Sequence, residues 1–223
     1  MEAEKIIEKF IYSCSHDLRA PVSSIQGLVR IAEYYPHHDE THKCLEMIEA
    51  CTEKMDRLIR SLEEYMINAK HQLNAEEVNS AELVDQIVNN YEEQLLTNGI
   101  TVTKEVNIHR PWITDRYSAY HIIKYLFSNA IIFADGEKTE KKILIRINAT
   151  SQDSSIEVID NGLGIPFDDQ SKIFDVFYRG SSQSQGLGMG LFLTNHLIGR
   201  IKANLTFNSI EKMGSCFRVS IPH

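Results

Sequence analysis

The sequence predicts a helical hairpin followed by an α+β sandwich. Two observations carry this. From Glu2 to about His71, apolar residues recur in steps of three and four, the period of amphipathic helices. From Leu73 onward, runs rich in β-branched residues alternate in period two and are interspersed with capped helical stretches.

The first helix is expected from Glu2 to about Tyr35, with Ile7, Ile11, Cys14, Leu18, Val22, Ile25, Val29 and Ala32 as its stripe. Tyr34 to Asp39, which contains Pro36, reads as a turn. A second helix runs to about His71 on Leu45, Ile48, Cys51, Met55, Leu58, Leu62, Tyr65 and Ala69. One hairpin buries two such stripes poorly. Two hairpins closing a four-helix bundle bury both, so a homodimer is expected. Ala75 to Asn79 is a short strand candidate. The helix after it is capped by Asn79 or Ser80, with Glu82 as the capping-box partner, and is ended by Asn98-Gly99. Ile100 to Val106 reads as a strand and Arg116 to Ala134 as a helix. "KKILIRINAT" and "SSIEVID" form a hairpin around Ser151–Asp153. A helix from about Met189 to Arg200 precedes "NLTFNSI" and "SCFRVSIP", a hairpin around Glu211–Gly214. Strands in pairs mixed with helices place the helices on one face of a mostly antiparallel sheet.

The 223 residues suit one large domain or two small ones, and 43% hydrophobic with 24% charged residues is ordinary for a globular chain. A net charge of -8 argues against nucleic acid as a partner, because phosphate backbones recruit basic surfaces. No apolar run is long enough to span a bilayer and no signal peptide opens the chain. The expected location is the cytoplasm, either free or as the cytoplasmic part of a membrane-anchored receptor. Cys14, Cys44, Cys51 and Cys216 are scattered without a CxxC pair, which argues against a zinc or disulfide framework, and Cys14, Cys44 and Cys51, within helical patterns, read as small buried side chains.

Three stretches carry chemistry. In "SHDLRAP", His16 lies two residues from Cys14 and from Leu18, about 200° around the helix from both. It therefore points away from the seam. Pro21 removes the amide that would bond the Asp17 carbonyl, and a mid-helix proline costs about 3 kcal/mol. A solvated histidine is usually a plain surface residue; a proline retained beside it points to a functional distortion. In "VIDNGLGIP", Asp160 ends a strand just before Gly162 and Gly164, a tight turn that lets a flat ligand approach the backbone or a plain β-turn. In "QGLGMGLFL", Gly186, Gly188 and Gly190 stand at the mouth of a helix, where backbone amides bind phosphate, or form a flexible loop. The spacing fits neither the dinucleotide fingerprint nor the P-loop.

Taken in order, "SHDLRAPVSSI", "YLFSNAIIFAD", "IDNGLGIP", "IFDVFYRG", "GLGMGLFL" and the closing "GSCFRVSIP" resemble the boxes of the two-component sensor histidine kinases across essentially the whole chain. The resemblance implies a dimerisation and phosphotransfer domain over 1–73 and a catalytic domain of the gyrase-like (Bergerat) ATPase type over 74–223. It implies ATP and Mg²⁺, autophosphorylation of His16, and transfer to an aspartate on the receiver domain of a response regulator, with a sensor domain upstream that this chain lacks. His16 would attack the γ-phosphorus, with Asp17 accepting its ring proton. Asn129 would hold Mg²⁺, Asp160 would bond the adenine amino group, and Gly162 and Gly164 would give the base room. Phe133 would pack near the adenine, Phe174 and Phe177 would anchor a lid, and Arg179 would reach phosphate. Gly186, Gly188 and Gly190 would form the hinge and the phosphate-facing helix start.

The sequence departs from the family at three positions. Tyr125 stands where a second asparagine is usual, and Ile132 where a cation is usual, which removes polar contacts to the triphosphate; Lys124 and Lys138 are the nearby cations that stand to compensate. Ala20 stands where members that dephosphorylate their partner have Thr or Asn. The competing expectation is a degenerate, non-catalytic member acting as a dimeric docking scaffold. A gyrase-like ATPase is disfavoured, since Tyr125 occupies the place of that class's water-activating acid. His37, His38 and His42 read as a solvated turn rather than a metal site.

Overall fold

The structure is a computed structural model that describes the backbone of residues 2–34, 38–151, 154–178, 180 and 188–222, with side chains from Leu18 onward except at 38 and 39. It divides into two units, Met1–Lys70 and His71–His223.

The first unit is two helices of 33 residues each, α1 (Glu2–Tyr34) and α2 (His38–Lys70), packed on each other. α1 stays helical through Pro21. The single stripe expected on each helix resolves into two seams. Pro21 and Leu28, seven apart on α1, are buried, as are Cys44 and Leu58 on α2, with Cys51 half-buried between them. A heptad spacing of this kind is the inner seam of a helix pair. Beside it, Val22 and Val29 on α1 and Leu45, Ile59 and Met66 on α2 remain exposed.

The second unit is a five-stranded sheet in the order β2-β4-β5-β7-β6 with helices on one face, built from β2 (Ile100–Ile108), β4 (Lys141–Ala149), β5 (Ser154–Asp160), β6 (Asn204–Ile210) and β7 (Gly214–Ser220). Only β2 and β4 run parallel; the other pairs are antiparallel. Alternation decides the faces. Ile143, Ile145, Ile147, Ile156, Val158 and Val219 are buried under helices α5 (Arg116–Ile132) and α6 (Gly190–Arg200). The intervening residues form an ion ladder on the opposite face: Arg146 bonds Glu105 at 2.6 Å and Glu157 at 2.7 Å, and Arg218 bonds Glu157 at 2.5 Å.

Two features differ from expectation. The helix expected from Ser80 to Asn98 breaks at Asn90–Tyr91 into α3 (Ser80–Asn89) and α4 (Glu92–Asn98). A short strand β3 (Ile113–Asp115), too brief to show alternation, pairs with β1 (Ala75–Glu77).

Candidate active site

Helix α5 is the beam on which the site is built. Its N-terminus is capped by Asp115, whose carboxylate accepts from the Ser118 amide at 2.7 Å and from the Asn74 amide at 2.8 Å. The His71 ring lies 3.0 Å from both carboxylate oxygens and stacks on Tyr117. Burial works against the Asp115 charge, but donors from Asn74, Ser118 and His71 outweigh it and hold the carboxyl below its ordinary range. Ile122, Ile123, Leu126 and Phe127 bury the helix against the rest of the unit. That burial turns Asn129 and Phe133, at the C-terminal end, to the half-open side.

The turn carrying Asp160 is pinned to that end. A Cβ on Gly162 would stand 2.3 Å from the Phe133 carbonyl, and the Leu163 amide donates to the same carbonyl at 2.9 Å. Gly162 also donates to Asp160 Oδ1 at 2.8 Å. Gly164, at φ +65°, would place a Cβ 2.0 Å from the Ile210 carbonyl. The space these two glycines leave is taken first by the protein's own backbone. Burial pushes the Asp160 carboxyl above its usual value; amide bonds from Gly162 and Ser215 and the charge of Lys138 pull it partly back. A carboxylate has about four acceptor sites, so two amide donors leave room for an amino group from a ligand.

The start of α6 completes the patch. A Cβ on Gly190 would meet Asn129 Oδ1 at 3.2 Å, so that first turn lies directly against the Asn129 amide. The N-cap residue of α6, Met189, makes no side-chain capping bond among the described residues. That first turn thus lies beside a half-buried Asn129 side chain, whose amide oxygen is a hard donor of the kind Mg²⁺ takes. Gly188, at φ +72°, packs on the carbonyl of Tyr178, next to Phe177 at φ 60°.

Asn129, Phe133, Asp160, Gly162 and Gly190 are thus joined by a chain of direct contacts, with Gly164 and Gly188 flanking it. Arg179 and Gly186 lie outside the described residues, as do the side chains of His16 and Asp17; the backbone at 16 and 17 is helical. Arg19, Ala20 and Ser23, three to seven residues after His16, are exposed. Phe174 packs edge-on to Phe207, which stacks on Phe217. It anchors its segment to the sheet.

The two substituted positions differ in kind. Tyr125 is 5% exposed, under Lys124, whose ammonium sits 5.4 Å from the ring centroid. Ile132 is 46% exposed and offers no polar atom to a ligand. Lys138 does not take the missing cation's place, because its ammonium is engaged with the carbonyls of Asn161, Gly162 and Lys212. Sequence reasoning missed this contact and the His71–Asp115 pair. An Asp directly before a helix was a readable cap signal.

A model of the His Kinase A (phospho-acceptor) domain matches residues 6–68, and one of the histidine kinase-, DNA gyrase B- and HSP90-like ATPases matches residues 114–223. The chain belongs to the sensor histidine kinases. The sensor protein CiaH of Streptococcus pneumoniae is 28% identical to this kinase chain over 99% of its length, and the sensor protein kinase WalK of Staphylococcus aureus 25% identical over 99%. The chain spans 50% of the former and 37% of the latter. Among solved structures, histidine kinase ThkA in complex with response regulator protein TrrA superposes with a TM-score of 0.73 at 22% identity, covering 99% of this chain and 63% of that one. Histidine kinase AdeS of Acinetobacter baumannii gives 0.64 at 21%, covering 92% and 96%. These likenesses establish the kinase fold.

Proposed function

We propose that this histidine kinase chain binds ATP at the Asn129–Asp160–Gly190 patch, phosphorylates His16, and passes the phosphoryl group to an aspartate of a response regulator. The observation that carries the reading is the contact chain from Gly190 through Asn129, Phe133 and Gly162 to Asp160. It brings the start of α6, the Asn129 amide oxygen and the Asp160 carboxylate together, which supports assigning them to phosphate, Mg²⁺ and base.

In this reading Asp160 accepts from the adenine amino group and Phe133 packs beside the ring. The first turn of α6 and Arg179 face the phosphates, with Gly186 and Gly188 as the hinge before it. Mg²⁺, held by Asn129, supplies charge neutralisation on the triphosphate. A neutral imidazole is nucleophilic near neutral pH. A ring nitrogen of His16 forms the bond to the γ-phosphorus, the bond from that phosphorus to the bridging oxygen breaks, ADP leaves, and the ring proton passes to Asp17. The response regulator enters by analogy with the ThkA complex. The homodimer rests on the exposed second seam of the hairpin, and a sensor region on the greater length of the relatives.

Incubation with γ-labelled ATP and Mg²⁺ tests the reading. Acid-labile label is expected on the whole chain and none on His16→Gln. Bound nucleotide without label in the unsubstituted chain would make it a docking scaffold instead. ATP affinity should fall as pH drops through the raised Asp160 value, because only the carboxylate accepts from the amine. With the methyl of Ala20 in place of a hydroxyl or amide, dephosphorylation of a phosphorylated regulator should be no faster than the regulator's own decay.

A further inference from the structure

Lys138 lies in the loop between α5 and β4, outside every box of the family. Its ammonium donates to the Asn161 carbonyl, to Gly162 at 3.3 Å and to Lys212 at 2.9 Å. Three N–H groups meet three carbonyls, so its donor capacity is spent. The acceptors come from two segments, the turn after Asp160 and the β6–β7 turn, and Lys138 itself comes from a third. Its own loop is fixed at the base: the Lys138 amide donates to the Asp135 carbonyl at 3.2 Å and the Glu137 amide to Asp135 Oδ1 at 3.0 Å.

Other bonds join these segments too: the Asn161 side-chain amide donates to the Glu140 carbonyl at 2.8 Å, and the rest are contacts between backbones. The Lys212 amide bonds the Leu163 carbonyl at 2.5 Å, and a Cβ on Gly214 would stand 2.0 Å from the Asp160 carbonyl. Carbonyl oxygens converging from two turns, beside a carboxylate, repel one another unless a cation sits among them. Lys138 is that cation.

We propose that Lys138 is a positioning residue for nucleotide recognition: its ammonium closes the 161–164 turn against the β6–β7 turn and supports the Asp160 carboxylate that reads the base. This rests on the reading that Asp160 receives adenine. Burial disfavours the Asp160 charge, the amides of Gly162 and Ser215 favour it, and Lys138 is the charged group that favours it. The Cys216 thiol on β7 is a further titratable group that feels the Asp160 charge. Removing Lys138 therefore raises the pH at which Asp160 gains its proton.

The test is equilibrium binding of ATP and of GTP, with Mg²⁺, to the whole chain from mildly acidic to neutral pH. Lys138→Met should weaken ATP about tenfold and move the acid limb of the affinity profile to higher pH. GTP, with an oxygen where adenine has its amine, should lose less. Lys138→Arg should keep the limb where the unsubstituted chain has it. If Lys138→Met does not fold, Lys138→Gln keeps two donors without the charge and should show the same shifted limb. An unmoved limb in the uncharged variants, or equal losses for ATP and GTP, overturns the positioning role. Asp160→Asn separates the two layers. If it binds ATP like the unsubstituted chain, the adenine reading fails and this inference with it. If it loses ATP while Lys138→Met does not, only the role of Lys138 fails.

Discussion

Asp115 does three things with one carboxylate: it caps α5, fixes the chain entering at Asn74, and holds the His71 ring. Because α5 carries Asn129 and ends at Phe133, the cap sets the helix on which the site depends. Asp115→Ala should cost about 1–2 kcal/mol, the usual loss for an N-cap, read by denaturant unfolding. The sign with pH follows from the lowered carboxyl. Its contribution is complete above the unfolded value near 4 and is lost as pH falls through the lower folded value. The variant should therefore show a flatter acid limb of stability than the unsubstituted chain; a parallel limb would mean that the bonds to Asn74, Ser118 and His71 do not lower the group. That Asn129, Asp160, Gly162 and Gly190 belong to one patch was legible because short boxes with fixed spacing announce them. His71 and Lys138 were not. His71 meets a residue 44 positions away, and Lys138 spans 74 positions to Lys212. No local pattern encodes such pairs.

At the scale of the element, the hairpin shows what periodicity reads and what it merges. Threes and fours marked both helices, but two adjacent seams in one helix give the same spacing as one broad stripe. The structure separates them: Cys44, Cys51 and Leu58 repeat at sevens on the inner side, while Ile59 is 45% and Met66 53% exposed beside them. If the outer seam joins two copies into a four-helix bundle, a charge at its centre must be desolvated without a partner. Ile59→Lys should convert the homodimer to a monomer in sedimentation velocity while α-helical content stays unchanged. A dimer of unaltered strength would place the interface elsewhere. The break between α3 and α4 and the strand β3 escaped the sequence for a similar reason: each is short, and polar residues at Asn89–Asn90 read equally well as helix surface. The parallel pairing of β2 with β4 was equally silent, since alternation fixes which face is buried and not which neighbour is chosen.

For the whole molecule, the change of period between Lys70 and Leu73 made two domains readable, with the boundary expected at 73. The residues at that junction have definite allegiances. His71 bonds Asp115 and stacks on Tyr117 at 4.1 Å, and Arg200 on α6 donates to the His71 carbonyl. All three partners are in the second unit, so we place the start of the catalytic domain at His71. A fragment of residues 71–223 should then fold alone and bind ATP with the affinity of the whole chain. It should incorporate no label, because His16 is on the other piece, and should label a separate hairpin bearing His16 only slowly. Within that fragment His71→Ala should cost about 1 kcal/mol, the net worth of a hydrogen bond. The same substitution in the whole chain should shift the unfolding of the second unit by an equal amount, since the ring's partners are identical in both. A cost that vanishes in the fragment would mean that His71 matters only where the two units join, and the boundary at 71 would be wrong.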